Sequence, residues 1–435
     1  MSAYQTAFIL LMMLFFFLGS GLWIALALGI AGVVGLYVFT PYPVAEIVAL
    51  QTWNRSTIYV LTAIPLFVLC AELLITTRLA RWLFDGLAPW LVWLPGRLMH
   101  TCVVGCAFMA GITGSSTADC MTIGRINYTE LSTRGYDKDL AAGVLAGAGT
   151  LGILIPPSIV PIMFVAVVGG SVGELFLAGI VPGILVACLF SLWIIIRATL
   201  TPAIVPLVIE PYTWGDRWWG LLLMSPTLGL VFFILGSLYS GIATPTEAAA
   251  LSAFAAAVMA VVSRSLTWNQ FVRALISTCR LTSFIMLIII GATILGIVTS
   301  YTKLPATIVA DVSYWTKNIY LILILLSVVY VLLGMFLDPN SVILLTLPVV
   351  VPVMDALGVD RAWFCVYLII MVEIANVTPP VGFNLYVIQG VSGLSLSRVS
   401  YATLPFVFML LLAALIITVF PQIVLWLPRL VFSGS

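Results

Sequence analysis

The sequence predicts an all-α polytopic membrane protein made of two inverted structural repeats, each containing a re-entrant helical hairpin and a broken helix. Three observations carry that prediction. The 435 residues are 63% hydrophobic and only 8% charged, with a mean hydropathy of +1.23. The apolar residues come in continuous runs long enough for membrane helices, and glycine, proline and aspartate recur at one fixed spacing between the two halves. A soluble domain carries about 25% charged residues, so this chain lacks the means to cover a water-facing surface. That excludes a cytosolic enzyme, a nucleic-acid binder and a disordered protein. A transmembrane β-barrel would alternate apolar and polar residues at every second position. Lys plus Arg (17) nearly balances Asp plus Glu (16), so no bias toward acidic partners exists.

The first charged residue is Glu46 and the first basic one Arg55. A secretion signal needs a basic start, so the N-terminal run reads as a retained membrane segment. A bilayer core takes roughly 20 apolar residues per helix. Helices are expected at about 3–18, 21–39, 57–77, 139–155, 158–169, 176–197, 218–239, 245–263, 282–301, 362–377, 381–391 and 403–428. Stretches 98–131 and 321–356 are each broken midway by a polar motif, leaving limbs that reach only about 22–26 Å at 1.5 Å per residue; they read as re-entrant hairpins. The Trp- and Arg-flanked segment 79–97 and the segment 303–319 precede them and read as horizontal arms, with ordinary loops as the alternative. The seven cysteines are scattered without a C-x-x-C, and His100 is the only histidine, a poor basis for a metal site.

The repeat has a constant shift of 223 residues. Gly111 pairs with Gly334, Gly135-Tyr-Asp-Lys138 with Gly358-Val-Asp-Arg361, Pro156-Pro157 with Pro379-Pro380, and Pro182 with Pro405. Glycine and proline fix backbone breaks, so shared positions mean shared geometry. Duplication with broken helices is the mark of secondary transporters. With the N-terminus outside, crossings place twelve Lys/Arg inside and five (Arg55, Lys303, Lys317, Arg361, Arg429) outside. The positive-inside rule favours that orientation and makes the halves antiparallel.

Polar residues interrupt the apolar sequence at four points. The hairpin breaks read Gly111-Ile-Thr-Gly114-Ser115-Ser116-Thr117, followed by Asp119, and Gly334-Met-Phe-Leu-Asp338-Pro339-Asn340-Ser341. The helix breaks read Gly149-Thr150-Leu-Gly152-Ile-Leu-Ile155-Pro156-Pro157-Ser158 and Glu373-Ile-Ala-Asn376-Val-Thr378-Pro379-Pro380-Val-Gly382-Phe-Asn384. An interrupted helix frees carbonyls for a hard cation and amides for an anionic group, and nearby hydroxyls complete an oxygen shell suited to Na⁺. The bland alternative is that Ser and Thr bond back to their own helix. Expected cation ligands are Gly114, Ser115, Ser116, Gly149, Ile155, Pro156, Asp338, Asn340, Asn376, Thr378 and Pro379. Expected substrate contacts are Ser115, Ser116, Thr117, Arg125, Asn340, Ser341, Gly382 and Asn384, with Glu373 in support. Carboxylates inside apolar sequence are functional by default, but Asp338 serves equally as an N-cap and Asp119 could pair with Arg125. Glu247, in Thr244-Pro-Thr-Glu247, reads as a structural capping box.

These motifs resemble the large membrane (M) subunit of tripartite ATP-independent periplasmic (TRAP) transporters, in the ion-transporter superfamily. The matching stretches are Gly241-Ile-Ala-Thr-Pro-Thr-Glu-Ala-Ala-Ala250, Gly114-Ser-Ser116, Arg134-Gly-Tyr-Asp-Lys138, Gly152-Ile-Leu-Ile-Pro-Pro-Ser158, Leu337-Asp-Pro-Asn340 and Thr378-Pro-Pro-Val-Gly-Phe-Asn384. The chain departs from the family pattern at Asn340-Ser341 and at Asp119-Cys120. The resemblance implies an elevator-type transporter with a fixed scaffold and a moving transport domain. Its parts would be 1–97 (scaffold helices and arm), 98–175 (transport half one), 176–320 (scaffold and arm), 321–395 (transport half two) and 396–435 (C-terminal helix). It also implies Na⁺ coupling, a periplasmic substrate-binding protein, and a small four-helix Q subunit, here expected as a separate chain because the sequence opens on the first M helix. Substrates would be small organic acids such as C4-dicarboxylates or sialic acids, carried across a bacterial inner membrane. The competing readings are a self-sufficient Na⁺/carboxylate transporter without a binding protein and an intramembrane enzyme. The enzyme lacks a nucleophile–base pair or metal motif.

Overall fold

The computed structural model describes residues 2–206, 212–315 and 318–432; residues 316–317 of the 303–319 segment, Lys317 among them, and residues 433–435 of the 396–435 segment lie outside the described residues. In order, α1 (Ala3–Gly19), α2 (Ile24–Phe39), α3 (Val44–Ser56), α4 (Ala63–Thr76) and α5 (Leu79–Leu91) lead to the first hairpin, α6 (Met99–Thr113) and α7 (Ser116–Thr133). The first broken helix is α8 (Lys138–Gly149), α9 (Leu151–Leu154) and α10 (Ile159–Val168). Next come α11 (Val172–Leu200), α12 (Trp214–Tyr239), α13 (Pro245–Val262), α14 (Trp268–Tyr301) and α15 (Leu304–Trp315). The second hairpin is α16 (Ile319–Gly334) and α17 (Pro339–Ala356), the second broken helix α18 (Arg361–Asn376) and α19 (Phe383–Ser392), and α20 (Leu396–Val419) and α21 (Gln422–Phe432) close the chain. Among the described residues seven helices are long and apolar enough to cross a membrane, and the α8–α9/α10 pair, bent by 41°, makes an eighth; one of the seven is α17, so that limb is longer than the sequence reading expected. Helices suit a bilayer because every backbone group finds its partner within the segment.

Most expected helices lie where the sequence put them; three points differ. The 13-residue α3 was not anticipated. Helix α14 starts at Trp268, well before 282, because Thr267 and Gln270 form a capping box there. The single helix expected over 403–428 is two, parted at Phe420-Pro421, where proline removes a backbone donor. Helices α7 and α17 begin at residues 116 and 339 and end at 133 and 356, the same 223-residue offset that relates the sequence motifs. Their N-caps, Ser115 and Asp338, obey it too, as do Asp137 and Asp360 before α8 and α18.

Helices α2, α4, α13 and α14 pack as one group, with α5 laid against α12. Small residues allow these close approaches. A Cβ on Gly86 of α5 would lie 2.4 Å from the Gly220 carbonyl oxygen of α12, and one on Gly291 of α14 would lie 2.9 Å from the Gly29 nitrogen of α2. Glu72 of α4 accepts a hydrogen bond from Ser277 of α14 at 2.5 Å. Glu247 closes the anticipated capping box, accepting from the Thr244 amide and hydroxyl at 2.8 Å each. The hairpins and broken helices form a second group, interlocked crosswise: α7 packs on α8 and α19, and α17 on α18 and α10. Helix α11, which the division at 176 assigned to the scaffold, packs against α6, α9, α18, α20 and α21. Gly179 and Gly183 bring it there, their added Cβ atoms falling 2.5 Å from the Leu154 oxygen and 2.4 Å from Ile155 Cγ1.

The α5–α12 crossing has no room for a larger residue. Gly86→Leu is expected to cost at least the 1–3 kcal/mol typical of overpacking, read as a lower melting temperature of the detergent-purified protein.

Candidate functional site

The first hairpin turns at Gly114, which adopts a left-handed φ of +57° as the C-cap of α6. Ser115 is extended and caps α7, accepting from the Ala118 amide at 3.4 Å. This tip is pressed onto the first broken helix. A Cβ at Gly152 would fall 2.7 Å from the Ser116 nitrogen, one at Gly114 3.1 Å from the Ile159 nitrogen, and one at Gly111 3.2 Å from the Pro156 oxygen. Glycine stands at each of these places because backbone meets backbone there.

The tip also reaches the other half of the chain. Ser116 Oγ donates to Glu373 Oε1 on α18, and Asn376 Nδ2 donates to the other carboxylate oxygen at 3.4 Å. All three residues are buried. On the opposite side Gly334 of α16 packs on α18, where an added Cβ would lie 2.6 Å from Ala375 Cβ. One helix, α18, therefore touches both hairpins within three residues. No hydrogen bond among the described residues joins the two tips directly.

Around this junction buried polar atoms lack partners within the chain: Asp119 Oδ2, Ser158 Oγ, Asn376 Oδ1, and both Asn384 side-chain polar atoms. Leaving such a group unsatisfied costs about 1–3 kcal/mol, and native structures tolerate few. Four of the five are oxygens, the donor set of a hard cation. Asp119 is held by Thr113, whose hydroxyl donates at 2.6 Å, and forms no ion pair with Arg125. Arg125 is instead exposed on α7.

Helix ends divide into two kinds here. Ser115 and Asp338 cap α7 and α17 with their own side chains, Asp338 accepting from the Ser341 amide at 3.2 Å and from its hydroxyl. The sequence left Asp338 divided between cap and ligand; the cap is made. By contrast, α10 and α19, the helices that follow the proline pairs, have no side-chain cap. The amides of Ile159 and Val160 in α10 and of Phe383 and Asn384 in α19 are the ones left for an anionic group, since Pro161 has none and Leu385 donates to the Gly382 carbonyl at 2.9 Å. Both proline pairs contain a cis peptide bond. Pro156 and Pro157 are buried, whereas Pro379 and Pro380 are exposed. Thr378 Oγ1 donates back to the Ile374 carbonyl at 2.5 Å.

Of the other expected residues, Gly149, Ser341 and Gly382 are buried, and Ile155, Thr117 and Asn340 are half-buried. Gly382 takes a φ of +53° above the Thr378 oxygen. Sequence reasoning passed over Ser158 and Thr113 as site residues. Ser158 sits beside the proline pair, but its repeat mate is Val381, so the duplication gave no signal for it.

Paired hairpins and broken helices around a buried oxygen cluster define a multi-pass helical transporter rather than an enzyme. The chain matches the family described as tripartite ATP-independent periplasmic transporter, DctM component, over residues 11–423, and it belongs to that family. It is 33% identical over 408 residues to the C4-dicarboxylate TRAP transporter large permease protein DctM of Pseudomonas aeruginosa, covering 93% of this chain and 94% of that one. It is 29% identical over 373 residues to the sialic acid TRAP transporter large permease protein SiaM of Vibrio cholerae, covering 86% and 87%. Its fold is similar to the crystal structure of the YdaH transporter of Alcanivorax borkumensis, with a TM-score of 0.61 at 15% identity over 87% of each chain.

Ser116→Ala removes one of the two side chains bonded to the buried Glu373 carboxylate. A loss of about 1–3 kcal/mol is expected, measured by thermal or denaturant unfolding in detergent; Ser116→Thr, which keeps the hydroxyl, should lose less.

Proposed function

We propose that this protein is the membrane subunit of a Na⁺-coupled importer that carries a small organic acid across a bacterial inner membrane. A periplasmic binding protein delivers the acid, and a separate small four-helix subunit braces the scaffold. The observation that carries this reading is the set of buried, partnerless oxygens at the two helix breaks, in a chain of the DctM family. The family is that of one component of a tripartite transporter, which favours delivery by a binding protein over a self-sufficient carrier. The relatives' names include C4-dicarboxylate, sialic acid and ectoine transporters, and the first two support a carboxylate cargo.

In this reading Na⁺ takes carbonyl oxygens freed at Gly114 and Gly149–Pro156 on one side, and at Asn376–Pro379 on the other. The Ser158, Asn376 and Asn384 side chains add ligands. Oxygen-only sites at unwound helix segments are how secondary transporters hold coupling ions. The cargo carboxylate lies against the uncapped first turns of α10 and α19, where amides and the helix dipole favour an anion. Ser115, Ser116, Thr117, Asn340 and Ser341 shape that pocket from the hairpins. Glu373 acts through its neighbours: its bond to Ser116 fixes how close the first tip comes to α18. The hairpin group is the moving domain, and the α2–α4–α13–α14 group the fixed scaffold. The Lys/Arg bias sets the N-terminus on the periplasmic side.

The test is uptake into proteoliposomes holding this subunit, its small partner and a loaded binding protein, with and without an inward Na⁺ gradient. Accumulation is expected only with the gradient, and accumulation indifferent to Na⁺ would remove the coupling. Asn384→Ala and Asn376→Ala should each raise the half-saturating Na⁺ concentration about tenfold, since losing one good ligand costs on the order of 1.4 kcal/mol.

A further inference from the structure

A cavity of about 500 Å3 opens away from the helix breaks, and none of the expected site residues lines it. Its walls come from both helix groups: Tyr42, α3 and α14 on one side, α10, α17 and the start of α18 on the other. The volume suits a small molecule. Arg55 lines it, half-buried, donating to the Ala166 carbonyl of α10 at 2.8 Å and forming no ion pair among the described residues. The cavity's other guanidinium, on Arg361, is neutralised by Asp355 through bonds of 2.9 and 2.7 Å. The wall therefore carries one uncompensated positive charge. Tyr42 and Tyr301 meet edge to face at 5.2 Å along it, and the exposed Ser300 adds a hydroxyl.

We infer that this cavity is a second binding site for a small organic anion, a vestibule where Arg55 holds the cargo carboxylate before it reaches the helix breaks. An unpaired guanidinium in a partly desolvated cleft gains most from a bidentate carboxylate or sulfonate. The tyrosine and serine hydroxyls supply further donors, and the tyrosine rings face the carbon skeleton. The inference rests on the organic-acid reading above, but its test does not depend on transport.

The experiment places a reporter thiol in the cavity wall with Ser300→Cys, in a background where the exposed Cys188 and Cys279 are changed to serine; the other five cysteines are buried. Labelling of the purified protein by anionic sulfonatoethyl methanethiosulfonate is compared with labelling by the cationic trimethylammonium reagent. Arg55→Gln keeps a donor for the Ala166 carbonyl and removes the charge. It should lower the anionic-to-cationic rate ratio about fivefold or more at low salt, as expected for one charge at close range, while Arg55→Lys should retain the ratio. Succinate or isethionate at millimolar concentration should slow labelling by the anionic reagent only when residue 55 is charged. A ratio indifferent to Arg55, a lysine variant that behaves like glutamine, or no protection by either acid would overturn the proposal. An unchanged ratio with weakened capture of the binding protein would make Arg55 a protein-docking residue instead. Loss of Na⁺-driven uptake by the unmodified protein would sink the transport reading and leave the labelling result standing.

Discussion

A helix that stops inside a membrane frees backbone groups that water cannot reach, and every feature of the hairpin group follows from where those groups find partners. Two proline pairs and two hairpin turns create four such stops in this chain. At α7 and α17 the debt is settled locally, by Ser115 and Asp338. At α10 and α19 no side chain does so. Uncapped ends near buried serine and asparagine oxygens leave donors and acceptors unmatched within the chain, which is the opening the proposed function fills.

The backbone of this arrangement was legible in the sequence because its determinants are local. Glycine, proline and the N-cap aspartates act on neighbouring residues, so their fixed spacing carried directly into helix boundaries: α7 and α17 start at 116 and 339 and end at 133 and 356. The Glu247 capping box was readable for the same reason. What escaped was tertiary. Nothing near Ser116 announces Glu373, 257 residues away, and no local pattern says that α11 packs beside the hairpins rather than with α12. Helix α3 escaped because it is short and mixed in composition, below the length and hydropathy that mark a span. The Arg55 cavity joins residues from the linker before α3 and from five helices, and only packing assembles it.

The 223-residue offset gives the two halves the same boundaries at α7 and α17 but different chemistry at the breaks. Glu373 corresponds to Thr150, Asn376 to Ile153, Asn384 to Pro161 and Asp119 to Val342. Thr150 bonds back to the Gly147 carbonyl at 2.6 Å and serves its own helix, whereas Glu373 reaches across to the other half. Membership of the DctM family accounts for the shared frame. The polar complement differs between the copies: unpartnered side-chain oxygens stand at Asn376 and Asn384 in the second broken helix and at Ser158 alone in the first. The second break also leaves its prolines exposed while the first is buried, so the two copies differ in exposure as well as in ligands.

The longest helix makes the same point about mechanics. In the first half, residues 44–76 turn twice, as α3, a short 3-10 turn and α4; in the second half the matching stretch is the uninterrupted 34-residue α14. At 1.5 Å per residue α14 extends about 51 Å, longer than the bilayer with its headgroups. It can curve only gently while its backbone bonds stay made, whereas its counterpart is jointed beside Arg55. The same 223-residue offset thus relates a jointed element in one half of the chain to a single long strut in the other.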